Sequence, residues 1–258
     1  MSQSPPRHER TATPLTQGIA VVRLLLQRGY ALGVTQIANE LGMPKSSLHR
    51  LLKTLCQIGF LQQNPRNYRY GVDARIFEFV HEVAAHFAHN MRLDAELRKT
   101  AAALDASVYV DMLGGRYAYV VCAAGDEGNT MRLGQNSLIH SSSPGKVLVA
   151  QMPESEWPKY APREGDEATT PHTNLSPERF YAQLRQAREK GFAWNIRESS
   201  KDHVSIAAIV REPLVNPPRL AVALLLRHDV YIHRDQAELE QSVLKLAARL
   251  ERILAMKR

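Results

Sequence analysis

Two cysteines in 258 residues, Cys56 and Cys122, are too few and too far apart for a disulfide scaffold, and no CxxC or ligand-like spacing marks a structural zinc site. A reduced cytoplasmic compartment is the expectation. Long apolar runs are also missing: runs such as residues 220–226 fall far short of the roughly 20 residues that cross a bilayer. The first fourteen residues lack the apolar stretch of a secretory leader, so no membrane partner is expected. GxSxG is absent, and Gly145-Lys146 is followed by valine without P-loop spacing, which removes a nucleophile elbow and a nucleotide-phosphate loop. The pair His81-Glu82 with His86 misses HExxH by one residue, so neither metal nor cofactor is expected. Catalysis is not expected either. The alternative is a small-molecule-binding, hydrolase-type enzyme using His140 beside Ser141, Ser142 and Ser143, with an accessory basic domain.

What is present is a core-forming 44% of apolar residues and a lopsided charge. Residues 1–73 hold nine Lys and Arg against Glu9, Glu40 and Asp73, so six of the seven net positive charges fall in the first quarter. Such asymmetry points to a small module for a polyanion joined to a neutral module with another task.

Residues 17–28 put Ile19, Val22, Leu25 and Leu26 on one helical stripe, ended by Gly29 and Gly33. Thr35 reads as the N-cap of a short second helix that turns Ile37, Ala38 and Leu41 inward and stops at Gly42. Pro44 opens a third helix. There Leu48, Leu51, Leu52 and Leu55 follow i, i+3, i+4, i+7 and predict a buried stripe. Ser46, His49, Arg50 and Lys53 repeat that spacing on the other side, with Lys45 and Ser47 near the start. Hydroxyl, imidazole and cationic groups on one face offer donors to phosphates and base edges. Strands at 60–63 and 68–71 flank an Asn64-Pro65-Arg66-Asn67 turn, where Arg66 and Arg69 can reach a neighbouring phosphate or groove. The pattern is a winged helix-turn-helix over residues 15–73, behind a disordered tail at 1–14. Its candidate DNA-contacting residues are Thr35, Lys45, Ser46, Ser47, His49, Arg50, Lys53, Arg66 and Arg69. A connector helix at 74–90 carries Ile76, Val80, Val83 and Phe87 at coiled-coil spacing, suited to a dimer contact or to packing on the next domain.

Ile37-Ala38, Gly42, Pro44-Lys45-Ser46, His49-Arg50-Leu51-Leu52 and Gly59-Phe60 together resemble the DNA-binding domain of the IclR (isocitrate lyase regulator) transcription factors. The resemblance continues, more loosely, through His140, Gly145-Lys146 and Ala150, and through Gly191-Phe192, Glu198 and Ser205-Ile206-Ala207-Ala208. Residues 91–258 themselves read as α+β with a mainly antiparallel sheet. Strands are expected at 107–113, 116–121, 130–133, 192–196, 204–210 and 220–226, with a tight Gly114-Gly115 hairpin. Helices are expected from Ser143, Ser176 and about Arg234, the first capped by Ser143 with Pro144 in its first position.

The resemblance implies a GAF-like effector-binding domain, a double-stranded DNA operator, and a homodimer that assembles further into a dimer of dimers. It also implies a small organic-acid effector touching Met131, Ser143, Pro144, Asn195, Ser205, Leu224 and Leu226. A carboxylate would suit the helix start beside Ser143, where the amides of Gly145 and Lys146 would donate. Leu224 and Leu226 predict an apolar wall and therefore a bulkier, even aromatic acid; both leucines serving as core is the open alternative. The family also often has Cys at Ser205, Gly at Asp202 and Pro at Ile209.

Overall fold

Thr13 starts the first helix one turn earlier than the apolar stripe suggests. Its hydroxyl accepts from the Thr16 amide at 3.3 Å, and Pro14 occupies the favoured first position of α1 (Pro14–Arg28). The computed structural model describes residues 13–87, 91–125, 131–213 and 215–256, so the tail expected at 1–14 lies outside them up to residue 12. Two compact units divide the chain, Met1–Ala88 and His89–Arg258.

In the first unit, Gly29 ends α1 in the left-handed region at φ 71°. Helix α2 (Val34–Leu41) is capped by Gly33 rather than by Thr35. Gln36 reaches back to accept from the Gly33 amide at 3.0 Å, so the cap needs no hydroxyl, and Thr35 stands exposed inside the first turn. Pro44 sits one position outside α3 (Lys45–Gln57). The inward leucines Leu48, Leu52 and Leu55 meet Val21, Leu25, Ile37 and Leu61 in one core, while Leu51 is half-buried at its edge. The wing is shorter than expected, β1 (Leu61–Gln63) paired antiparallel with β2 (Tyr70–Val72). Leu32 and Tyr70 exchange two backbone hydrogen bonds, of 2.9 and 2.8 Å, which tie the wing to the α1–α2 connection. Helix α4 (Ile76–Phe87) follows; Ile76 packs against the core, and the Phe79 ring lies 5.6 Å from that of Phe60.

The second unit contains α5 (Met91–Leu104), β3 (Ser107–Gly114), β4 (Tyr117–Ala124), β5 (Asn136–Leu138), α6 (Ser143–Ala150), α7 (Pro177–Lys190), β6 (Phe192–Ile196), β7 (His203–Val210), β8 (Leu220–Arg227), α8 (His228–Tyr231) and α9 (Gln236–Ala255). The strands form one antiparallel sheet in the order β5-β4-β3-β8-β7-β6. Its strands alternate inward on both faces. Val110, Ile206, Val222 and Leu224 share a core with Leu97 of α5 and Val243 of α9, while Tyr109, Ala207, Ala223 and Leu225 share one with α6 and α7. The architecture is thus the expected α+β.

Two strand expectations are corrected. Residues 131–133 carry no strand, Thr130 lies outside the described residues, and pairing with β4 begins only at Asn136. The hairpin turns on Gly115-Arg116, because Gly114 still pairs with Tyr117 and Gly115 alone takes φ 61°. Among the described residues no helix is long and apolar enough to cross a membrane.

Candidate nucleic-acid interface and effector pocket

Because α3 buries Leu48, Leu52 and Leu55, the helical period turns Ser46, Arg50, Lys53 and Gln57 directly away from the core. His49 stands on one flank of that strip and Ser47 on the other, with Lys45 in the first turn; all six predicted α3 residues are exposed. The α3 cations differ from their neighbours in one respect. Arg28 is held by Glu40 at 2.6 Å and Arg75 by Asp73 at 2.9 Å, whereas among the described residues Lys45, Arg50 and Lys53 form no ion pair. Arg66 and Arg69 are exposed and equally unpaired.

The wing tip is shaped by two side-chain turns, Asn64 accepting from the Arg66 amide at 2.9 Å and Asn67 from the Arg69 amide at 3.1 Å. Tyr68 between them takes φ 55° and is 71% exposed. Gln57 and Tyr68 were not predicted as site residues. The i, i+4, i+7, i+11 run from Ser46 would have found Gln57, whereas a left-handed tyrosine leaves no mark in periodicity.

Beside this surface an apolar groove of about 980 Å³ runs between α1, α3 and α4, with Leu15, Ile19, Ile58, Phe79 and Val80 along it. Phe77 is 70% exposed, and Val80 and Val83 of the predicted seam are also exposed; the Phe87 side chain lies outside the described residues.

In the second unit a cavity of about 380 Å³ opens on the α6 face of the sheet. Hydroxyls of Tyr109, Ser137, Ser142, Ser199, Ser200 and Ser205 line it, with the amides of Gln135, Asn136 and Asn195 and the imidazole of His203. Among the described lining residues only Met131 and Leu225 are aliphatic. Beneath it the Ser143 and Ser205 hydroxyls lie 2.7 Å apart. Asn195 donates from Nδ2 to Ser199 Oγ at 2.7 Å and accepts at Oδ1 from the Glu198 amide at 2.8 Å. Glu198 in turn accepts at 2.5 Å from Lys146, whose ammonium is 1% exposed.

Two family models account for most of the chain. The IclR helix-turn-helix domain matches residues 14–65, and the bacterial transcriptional regulator IclR C-terminal domain matches residues 90–252. The chain belongs to the IclR family of transcriptional regulators. Like the family, it pairs a DNA-binding helix-turn-helix with a C-terminal ligand-binding domain. It is 28% identical over 228 residues to the HTH-type transcriptional regulator XynR of Escherichia coli, across 86% of this chain and 88% of that one. The fold of the IclR regulator from Alicyclobacillus acidocaldarius superposes with a TM-score of 0.74 at 22% identity, over 95% of this chain and all of that one. An IclR homolog from Microbacterium hydrocarbonoxydans, solved with 4-hydroxybenzoate, gives 0.77 at 14% identity, over 95% and 100%.

The predicted effector residues of this IclR-family chain separate into two groups. Met131, Asn195 and Ser205 line the cavity, and Ser143 stands behind it on Ser205. Leu224 and Leu226 do not line it: strand alternation turns them into the core under α5 and α9, and Leu225 alone of that run faces the cavity. Leu224 and Leu226 are therefore core residues and form no apolar wall of this cavity. Nor does Ser143 cap α6. Ser142 does, taking the Gly145 amide at 3.2 Å, while the Lys146 amide donates to the Ser142 carbonyl at 3.0 Å. Both amides expected to bind a carboxylate are thus engaged within the helix turn. Pro144 and Gly145 are buried.

Gly145 has a packing role. A Cβ there would sit 2.7 Å from Ile139 Cα, a backbone atom that cannot swing aside. Gly145→Ala should therefore lower stability by about 1–3 kcal/mol, read as a fall in the urea midpoint with an unchanged slope.

A buried acid was also missed. Asp111, 1% exposed on β3, faces the same side as Tyr109, and its Oδ2 has no hydrogen-bond partner among the described residues. The alternation Tyr109-Val110-Asp111 carried that signal. Burial pushes its carboxyl up to about 8 and, with the Asp111 charge, pushes the Tyr109 phenol above its ordinary range. Burial has the opposite effect on His140, bringing its imidazole down to about 4. A raised carboxyl favours the folded state most below its unfolded value, and that contribution is lost as pH climbs toward 8. Stability should therefore fall across that window by up to about 1.4 kcal/mol per pH unit relative to Asp111→Asn, measured by denaturation of both proteins at matched pH.

Proposed function

We propose that this chain is a ligand-responsive transcriptional regulator whose homodimer holds an operator duplex with the outward face of α3. The observation that carries this reading is the strip Ser46, Arg50 and Lys53, exposed and without internal ion pairs on a helix whose opposite side is locked by leucines. Arg50 and Ser46 read base edges; Lys45, Ser47, His49, Lys53 and Thr35 hold phosphates, and Arg66 and Arg69 of the wing hold the adjacent backbone. One such helix reads few base pairs, so two copies on a near-symmetric site supply specificity. The exposed apolar strip of α4 and the groove beside it support pairing of two chains, with a dimer of dimers as the larger assembly. Domain boundaries at 15–73, 74–90 and 91–258 suit this division of work, which belongs in the cytoplasm with the duplex.

The effector is a small organic molecule held by Met131, Asn195 and Ser205. The acid class is supported by the family and by the Microbacterium homolog that holds 4-hydroxybenzoate. Its differential affinity for two placements of the DNA-binding units sets operator affinity. Selection of duplexes from a random pool with the full chain tests the reading. Enrichment of one near-symmetric sequence is expected, and recovery of a pool no different from the input would reject it.

A further inference from the structure

The chemistry of the cavity in the second unit narrows what it takes. We infer that the effector is a polyhydroxylated compound of about four to six carbons, a sugar, polyol or sugar-derived acid, recognised through its hydroxyls. This rests on the regulator reading above and names the class of ligand for the same pocket.

Three observations converge. The cavity of about 380 Å³ lies near the small end of the roughly 300–1,000 Å³ range of ligand sites, which favours a compact molecule. Its described lining carries six hydroxyl-bearing and three carboxamide side chains beside His203 and the aliphatic Met131 and Leu225, so a carbon chain bearing several hydroxyls would find partners along its length. No lysine or arginine is among the described lining residues, and the nearby Lys146 ammonium already faces Glu198. A carboxylate is thus tolerated rather than demanded.

Internal hydrogen bonds engage part of this capacity, Ser200 with His203 at 3.0 Å among them, and leave the rest. Ser142 Oγ accepts from Gly145 and keeps its own proton to donate. Ser199 Oγ accepts from Asn195 Nδ2 and likewise keeps a donor, while Asn195 retains a second N–H. The Ser143–Ser205 pair also hydrogen-bonds with the Tyr109 phenol, so these three hydroxyls form one internal cluster at the cavity floor. Groups that both donate and accept match ligand hydroxyls, which do the same; a carboxylate only accepts.

The test is a thermal-shift and calorimetric screen of the full chain with erythritol, sorbitol, glucose and gluconate, set against pyruvate, benzoate and 4-hydroxybenzoate. At least one polyhydroxylated probe should raise Tm by roughly 5 °C at a hundredfold excess over Kd, and the acids without adjacent hydroxyls should not. Sorbitol or glucose binding as tightly as gluconate would show that hydroxyls carry recognition; gluconate alone would place the ligand among the sugar acids, still within the class. In the responding case Asn195→Leu should abolish the shift, and Ser199→Val, which leaves the Glu198 amide contact in place, should weaken binding about tenfold. Binding of the aromatic acids or pyruvate alone, or of no probe at all, would overturn the proposal. Retention of a selected operator by the unliganded chain is measured alongside. Its loss would count against the regulator reading, whereas its persistence without polyol binding would count only against the ligand class.

Discussion

Glu198→Ala should destabilise the second unit by about 3–5 kcal/mol and lower its melting temperature by roughly 10 °C or more. The Lys146 ammonium is 1% exposed, and burial draws its pKa below the usual range against the opposing pull of Glu198. Its other hydrogen-bond partner among the described residues is the Trp194 carbonyl at 3.1 Å. Removing the carboxylate leaves a buried charge with one neutral acceptor, which costs far more than the pair itself contributes. Lys146→Met combined with Glu198→Leu should recover most of the loss, because an apolar pair of similar volume has no charge to desolvate. The comparison of single and double variants by denaturation decides the matter. A single variant melting within about 2 °C of the parent would show that the pair is solvated in solution.

On the first unit the largest effect should come from Arg50→Ala, which weakens binding to a selected operator by about 1–3 kcal/mol, or up to about a hundredfold, and relaxes preference at one base position. Lys53→Ala should act differently. It removes one phosphate contact, so affinity falls for every duplex alike and the slope of log K against log salt shrinks by about 0.9. Both substitutions lie on the exposed side of α3, away from Leu48 and Leu52, and should leave thermal stability nearly unchanged. Retention assays over a range of salt separate the two roles. Parent-like affinity and salt slope in both variants would contradict the assignment of this helix face.

The regular parts of both units could be read from periodicity because one physical rule governed each. Leucines at helical spacing in α3 bury one side, and period-two runs in β3, β7 and β8 bury two faces of a sheet. Errors arose where a single position decides the outcome. Thr35 and Ser143 are good capping residue types, but Gly33 with Gln36, and Ser142 with the Gly145 amide, close those turns one or two residues earlier. In β8 every residue from Leu220 to Leu226 is apolar, so the run carries no alternation to show which leucines face the cavity. The structure assigns Leu225 to it. The cavity's hydroxyl-rich lining was hidden because its residues come from β3, β5, β6, β7 and β8, the segment before β5, the α6 cap and the β6–β7 connection, which only the fold brings together.

The central claim is that the outward side of α3 lies in a major groove, and interference by guanine methylation tests it most directly. N7 faces that groove, so methylating particular guanines of a selected operator should exclude those duplexes from the retained fraction, with the sensitivity at one of them lost in Arg50→Ala. Equal retention of methylated and unmethylated duplexes at every guanine, or interference confined to adenine N3 in the minor groove, would contradict it.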